Sequence, residues 1–141
     1  MRQKMNEVHQ KRPEHDWLTG DETLLVVDDE ELIIEMSREV LMILGYKVLS
    51  AGGGIEALEI YKKNRTRIDM VILDIIMPDL NGMETLDHMR RINPDVKVLI
   101  ASGYGIRGHA RRMLKRGCSG YIQKPYDIGA FSKKIRAVLE M

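Results

Sequence analysis

Residues 70–92 read MVILDIIMPDLNGMETLDHMRRI. The four apolar residues 70–73 run straight into Asp74, Pro78 and Gly82 then interrupt any regular pattern, and Met83, Leu86, Met89 and Arg90 follow at helical spacing with one wet side. A short, continuous apolar run followed by turn residues and a 3.6-period stretch reads as strand, loop and helix. The same unit recurs on both sides of it. Apolar runs at 23–27, 47–51, 96–101 and 120–123 each precede a stretch of helical spacing. In the first of those stretches Leu32, Ile33, Met36, Val40, Leu41 and Leu44 make one apolar face; Ala57, Leu58 and Tyr61 begin the second. Ala110, Met113 and Leu114 mark the fourth, and Ile128, Phe131, Ile135, Val138 and Leu139 the last. Strands that are apolar without alternation are buried on both faces, and crossovers of helical length allow parallel pairing, so the pattern predicts an open α/β sandwich of five strands and five helices. Gly45, Gly117 and Pro94 stand where three of the helices should stop.

The chain has 141 residues, 44% of them apolar, which suits one domain with one core and leaves no room for a second. Residues 1–20 are polar, carry mixed charge and Pro13, and show no periodicity. They are expected to form a tail or linker, with the folded domain over 21–141 and Trp17 as a residue that could pin the tail. His9 and His15 lack partners at metal spacing and read as solvated linker residues. With 22 basic against 21 acidic residues there is no overall field for nucleic acid or a membrane surface. The single Cys118 excludes an internal disulfide and fits a small core residue in a reducing compartment. No apolar run approaches the roughly 20 residues of a membrane span, and the N-terminus lacks a signal-like apolar core, so a cytoplasmic protein without membrane or direct nucleic-acid contact is expected.

In an open parallel sheet, functional groups collect outside the carboxyl ends of the strands. The first predicted strand ends at Asp28 and Asp29, the third at Asp74, the fourth at Ser102 and the fifth at Lys124 and Pro125. Three carboxylates brought within a few ångströms repel by roughly 4 kcal/mol per close pair at an effective dielectric near 20. Such a trio calls for a cation, and a hard site with few oxygen ligands and room for water suits Mg²⁺. Taken singly, Asp28 and Asp29 would serve equally well to cap the first helix and Asp74 to start a turn. The lysine and hydroxyl at neighbouring strand ends favour phosphate and metal chemistry.

The segments VVDDEE, LDIIMPDLNGME, IASG and YIQKPY resemble the signature segments of two-component receiver domains over residues 21–141. The resemblance implies a flavodoxin-like (βα)5 doubly wound sheet of strand order 2-1-3-4-5. It further implies that Asp74 accepts a phosphoryl group, that Asp29 and Asp74 ligate Mg²⁺ directly with Asp28 acting through water, and that the backbone carbonyl of Ile76 is another ligand. By the same resemblance Ser102 and Lys124 bind the phosphoryl oxygens, Tyr121 is the aromatic switch residue, and Pro125 follows a cis bond that aims Lys124 inward. The donor would be a sensor histidine kinase or phosphotransfer domain, with the first helix, 32–44, as its docking surface. The face made by the fourth helix, fifth strand and fifth helix would serve output or a homodimer. Ile76 and Tyr104 would flank the path of water to phosphorus, implying a long-lived phosphate. The chemistry is consistent, since phosphoryl transfer asks for a placed nucleophile, a metal and fixed positive charge.

Gly103, Gly105 and Gly108 satisfy a dinucleotide-type spacing, but the next strand ends in Lys124 and Pro125 where that fingerprint needs an acid, so these glycines read as a pliable loop. Gly52, Gly53 and Gly54 are a turn, because no Lys-Ser or Lys-Thr pair follows. Arg107, Arg111, Arg112, Lys115 and Arg116 make the fourth helix basic, as a solvated face or a docking face. The competing function is a metal-dependent phosphatase with Asp74 as turnover nucleophile; that chemistry typically places an acid two residues on, where this chain has Ile76. A phosphorylation switch rather than an enzyme is expected, either standing alone or as the terminal receiver of a hybrid sensor kinase, the tail favouring the second.

Overall fold

The computed structural model describes residues 17–103, 111–112, 114–124 and 127–141. His9, His15, Tyr104, Arg107, Ala110, Met113, Pro125 and the glycines at 105 and 108 lie outside them. The described elements are β1 (Thr23–Val27), α1 (Glu31–Ile43), β2 (Lys47–Ala51), α2 (Gly54–Asn64), β3 (Met70–Asp74), α3 (Gly82–Ile92), β4 (Val98–Ser102), β5 (Gly120–Gln123) and α4 (Ile128–Leu139). Arg111, Arg112, Leu114 and Lys115 are also helical, within the crossover from β4 to β5. The five strands form one sheet of order β2-β1-β3-β4-β5 with every pairing parallel. This is the expected doubly wound architecture.

Because successive side chains of a strand point to opposite faces, the continuous apolar runs divide themselves between two cores. Leu25, Val27, Val71, Leu73, Val98 and Ile100 pack with Ala57 and Tyr61 of α2 and Leu86 and Met89 of α3. Leu24, Val26, Met70, Ile72, Leu99 and Ala101 pack with Leu41 of α1 and Phe131, Ile135 and Val138 of α4. Each fully buried Leu or Phe stabilises the fold by roughly 1.5–3 kcal/mol, which is why β1, β3 and β4, buried along their whole length, dominate the sheet.

The helix ends follow their local chemistry. Gly45 adopts φ +100°, with its N–H donating to the Met42 carbonyl at 3.0 Å and the Tyr46 N–H donating to that of Leu41 at 3.0 Å. This is a Schellman closure of α1, and a left-handed residue there favours glycine. Gly117, at φ +103°, sits at the end of the β4–β5 crossover helix as expected. Asn81 and Glu84 form a reciprocal capping box on α3, and the Asp127 side chain caps α4 through the Ala130 N–H.

Two helix faces differ from expectation. Leu41 of α1 and Leu44 just past its end are fully buried and Ser37 joins them, whereas Leu32 and Met36 are 68% and 56% exposed. Apolar residues surround most of this helix, so spacing alone does not select its inner face. Leu114 is also exposed rather than buried. Residues 17–20, assigned above to the tail, lie against the domain: Trp17 is partly buried on the α1–α4 side, the Leu18 N–H donates to Ser132 Oγ at 3.3 Å, and the Gly20 N–H donates to the Leu44 carbonyl at 3.0 Å.

Candidate functional site

The chain moves from β1 outward to β2 and then back across to β3, so the winding direction reverses between β1 and β3. That reversal leaves a crevice at their carboxyl ends, and the residues there are acidic. Val27 is paired with Leu73, which sets Asp28 beside Asp74. Asp28 and Asp74 are buried, at 2% and 7% exposure, while Asp29 is exposed. One carboxylate oxygen from each of Asp28, Asp29 and Asp74 lies within 4.8 Å of the others.

Lys124 reaches this cluster from the far side of the sheet. Its backbone N–H donates to the Ser102 carbonyl at 2.6 Å, extending the β4–β5 ladder by one step. The side-chain Nζ then lies 2.5 Å from Asp28 Oδ2 and 3.5 Å from Asp74 Oδ1. Burial is the main cause that pushes the Asp74 carboxyl up from its ordinary 3.8 to about 6; Lys124 opposes the rise, and the Asp28 and Asp29 charges add to it. One ammonium therefore does not balance three carboxylates. The oxygen-only donor set and its surplus negative charge fit a hard divalent cation of the Mg²⁺ type.

The other expected residues are placed as follows. Ser102 ends β4 and is buried, with Ala101 opposite Asp74 in the sheet register. Ile76 lies two residues past Asp74 and is 68% exposed. Tyr121 lies within the edge strand β5, paired with Ile100, and is 37% exposed, outside the acidic cluster. Pro125 is outside the described residues.

Sequence reading missed the residues that hold the loop from Ile75 to Asn81. Asp79 accepts hydrogen bonds from the N–H groups of Gly54 at 3.2 Å, Ile55 at 3.1 Å and Leu80 at 2.7 Å. The Ile55 N–H is the largest of the causes that lower its carboxyl pKa. A carboxylate from a distant loop thus occupies the N-terminus of α2. At the other end, the Gly82 N–H donates to the Ile75 carbonyl at 2.7 Å, and a Cβ on Gly82 would lie 2.6 Å from the Asp74 carbonyl oxygen. Glycine is required there by close backbone approach.

The family pattern described as response regulator receiver domain matches residues 24–136. The chain belongs to the receiver domain family. Among curated relatives, this receiver is 31% identical over 121 residues to sporulation initiation phosphotransferase F of Bacillus subtilis, covering 86% of this chain and 96% of that protein. It is 32% identical over 123 residues to the sensor kinase CckA of Brucella abortus, covering 87% of this chain but 13% of the kinase. It is 32% identical to the probable transcriptional regulatory protein TcrX of Mycobacterium tuberculosis, spanning 83% of this chain and 49% of that regulator. The receiver thus spans a small part of some relatives and nearly the whole of others. Among solved structures, a receiver domain protein from Clostridium thermocellum superposes with a TM-score of 0.81 at 34% identity, covering 84% of this chain and 94% of its own. CheY from Borrelia burgdorferi, solved with CheX, BeF3 and Mg²⁺, gives 0.76 at 27% identity, covering 84% and 87%. Receiver domains of this family work in two-component phosphorelay signalling with histidine kinases or phosphotransfer partners.

Proposed function

We propose that this receiver takes a phosphoryl group from a partner phosphohistidine onto Asp74, with Mg²⁺ held by Asp28, Asp29, Asp74 and the Ile76 backbone carbonyl. The observation that carries the reading is the buried Asp74 carboxylate set beside two further carboxylates and within 3.5 Å of Lys124 Nζ. An Asp74 carboxylate oxygen attacks phosphorus, the bond from phosphorus to the donor imidazole breaks, and the imidazole leaves with its electron pair and takes up a proton. A bound Mg²⁺ supplies charge neutralisation for the approaching phosphoryl oxygens. Lys124, already aimed at Asp28 and Asp74, transfers its contact to a phosphoryl oxygen, and Ser102 supplies a hydroxyl donor from the adjoining strand end. The Borrelia relative, solved with Mg²⁺ and BeF3, supports a cation beside a phosphoryl-like group.

Tyr121 is 37% exposed on the edge strand β5, which in this reading belongs to the output face. Turning it inward as Ser102 moves toward the phosphoryl group would transmit the switch to β5 and its neighbouring helices. Turnover as a phosphatase has less support: the side chain two residues after Asp74 is the exposed alkyl group of Ile76, which can neither donate nor accept a proton. The test is incubation with acetyl phosphate and Mg²⁺ followed by intact mass measurement. One phosphoryl group should add to the wild type and none to Asp74→Asn. Equal labelling of the variant would remove Asp74 from the role, and continuous phosphate release from a generic phosphomonoester would instead indicate an enzyme.

A further inference from the structure

Trp17, Leu18 and Glu22 meet Gly129, Ser132 and Arg136 in that order, so residues 17–22 form a strap that runs along α4 in the helix's own direction. Its two ends are held unequally. At the lower end the Arg136 guanidinium donates to both Glu22 carboxylate oxygens at 2.8 and 2.9 Å, and the Gly20 N–H donates to the Leu44 carbonyl at 3.0 Å. The backbones of Gly20 and Gly45 also approach so closely there that a Cβ on Gly45 would lie 2.4 Å from the Gly20 carbonyl oxygen. At the upper end the hydrogen bond from the Leu18 N–H to Ser132 Oγ is long, at 3.3 Å. The indole Nε1–H of Trp17 is buried with no hydrogen-bond partner among the described residues. A buried donor without an acceptor opposes the seating of the ring that carries it. This weak end is the one nearest the acidic site. Trp17 and Ile128 are both partly buried against the core cluster that contains Phe131, so the ring braces the first turn of α4, which starts shortly past Lys124. Lys124 is tied by its N–H to the Ser102 carbonyl at 2.6 Å and by Nζ to Asp28 at 2.5 Å. A short stretch of chain thus joins the lysine of the site to the turn that Trp17 braces.

We infer that residues 17–19 are a releasable latch on the first turn of α4: seated, Trp17 favours the present position of Lys124 on Asp28, and phosphorylation of Asp74 frees the ring. This rests on the proposed function, in which Lys124 and Ser102 shift toward the phosphoryl group. That shift draws on the turn between Lys124 and Ile128, and the upper strap is the weakly held contact on the helix turn that follows. Glu22 and Gly20 keep the lower end in place, so the upper strap swings outward rather than detaching. Phosphorylation is thereby read out at Trp17, where the chain enters the domain, as well as at β5. Latch and phosphoryl group oppose each other through one equilibrium, and linkage makes the effect reciprocal: whatever loosens the latch strengthens phosphoryl binding by the same factor.

Trp17 is the only tryptophan of the chain, so its emission reports the latch alone. The wild type and Asp74→Asn are titrated with BeF3⁻ in the presence of Mg²⁺, and tryptophan emission, acrylamide quenching and hydrogen exchange at the Leu18 amide are followed. In the wild type the emission should shift to the red and become more readily quenched, and Leu18 should exchange faster; Asp74→Asn should show none of this. Two variants loosen the latch. Trp17→Ala removes the ring, and Ser132→Ala removes the acceptor of the Leu18 N–H while keeping the reporter. Both should bind BeF3⁻ roughly threefold or more tightly than the wild type, read from the Ser102 amide by NMR. A merely structural role for the strap would weaken binding or leave it unchanged, so the sign separates the two. Should Trp17→Ala fail to fold, Ser132→Ala decides alone. Wild-type emission and Leu18 exchange that stay constant while the Ser102 amide responds, or folded variants that bind no more tightly, overturn the inference. A wild-type Ser102 amide that does not respond to BeF3⁻ at all strikes the proposed function, and the latch with it.

Discussion

Replacing Asp74 by Asn should make the metal-free protein more stable at neutral and alkaline pH. The folded protein holds this carboxyl near pKa 6 against an ordinary 3.8, chiefly through burial, with Asp28 and Asp29 adding repulsion. A carboxyl whose folded pKa is raised binds its proton more tightly in the folded than in the unfolded chain. Its contribution therefore favours folding at low pH and is lost as pH climbs from the unfolded value through the folded one. The shift of about two units corresponds to about 3 kcal/mol of lost stability above pH 6, at 1.36 kcal/mol per unit. Partial solvation of the site and the Lys124 contact bring the expected gain for Asp74→Asn to about 2 kcal/mol.

The assay is urea unfolding and thermal melting of both proteins in a metal chelator, from about pH 4.5 to about pH 8. The variant should lead by about 2 kcal/mol at the upper end, or roughly 6–10 °C in Tm for a domain of this size. The lead should shrink steadily below pH 6. A wild type as stable as the variant at pH 8, or a gap that widens on acidification, would refute the assignment of Asp74 as a buried, electrostatically strained carboxylate.

Four further outcomes are expected. Mg²⁺ should stabilise the wild type by about 1.4 kcal/mol at ten times its Kd and Asp74→Asn by much less, with wild-type affinity falling below pH 6 as protons compete; calorimetric titration at two pH values checks this. Gly45→Ala should cost about 1–3 kcal/mol in urea unfolding, since it meets a φ of +100° and a Gly20 carbonyl oxygen 2.4 Å from the new Cβ. Asp79→Ala should cost about 1–2 kcal/mol by uncapping α2 and should speed hydrogen exchange at Gly54 and Ile55. Ile76→Asn should shorten the life of the aspartyl phosphate by roughly threefold or more, because it exchanges an exposed alkyl group two residues past Asp74 for one that can orient water; the first-order loss of phosphate under fixed Mg²⁺ reads it, and an unchanged or slower loss rejects shielding by Ile76.

The sheet was legible because β1, β3 and β4 need no choice of face: both faces are covered, so an uninterrupted run such as Leu24-Leu25-Val26-Val27 points to a central strand. Asp28, Asp29, Asp74 and Lys124 were legible for a related reason. Each ends a strand or follows one within two residues, and a parallel sheet brings those ends together whatever the loops do. The inner face of α1 was not legible, since apolar residues surround it and the deciding contact is the fit of Leu41, Leu44 and Ser37 into the sheet. Nor was the Asp79 cap, whose partners Gly54 and Ile55 lie 25 and 24 residues away and become neighbours only once the sheet has formed. Trp17, read as a residue that could pin the tail, packs partly buried against the α1–α4 core beside Gly129, a contact that a single aromatic without periodicity does not specify.

The same geometry explains why an acidic cluster that opposes folding can persist at the sheet's reversal point. Repulsion among Asp28, Asp29 and Asp74 would be relieved if the loops carrying them drifted apart, and each loop is anchored by contacts that do not depend on the site's charge. Asp74 sits in a fully buried strand, and the loop after it is fastened to α3 by the Gly82–Ile75 hydrogen bond and to α2 by Asp79. Asp28 is tied through its own N–H to the Ala51 carbonyl. The strain is therefore held as unbalanced charge rather than released as motion. Under the proposed function, a cation first removes most of it. The phosphoryl group would then restore negative charge one bond further out, within reach of Lys124, whose shorter present contact is with Asp28. Under that same reading, an acidic frame held by its loops would turn a covalent change at Asp74 into displacement at the ends of β4 and β5, and loosening that frame at Gly82 or Asp79 should weaken the coupling even where phosphorylation itself survives.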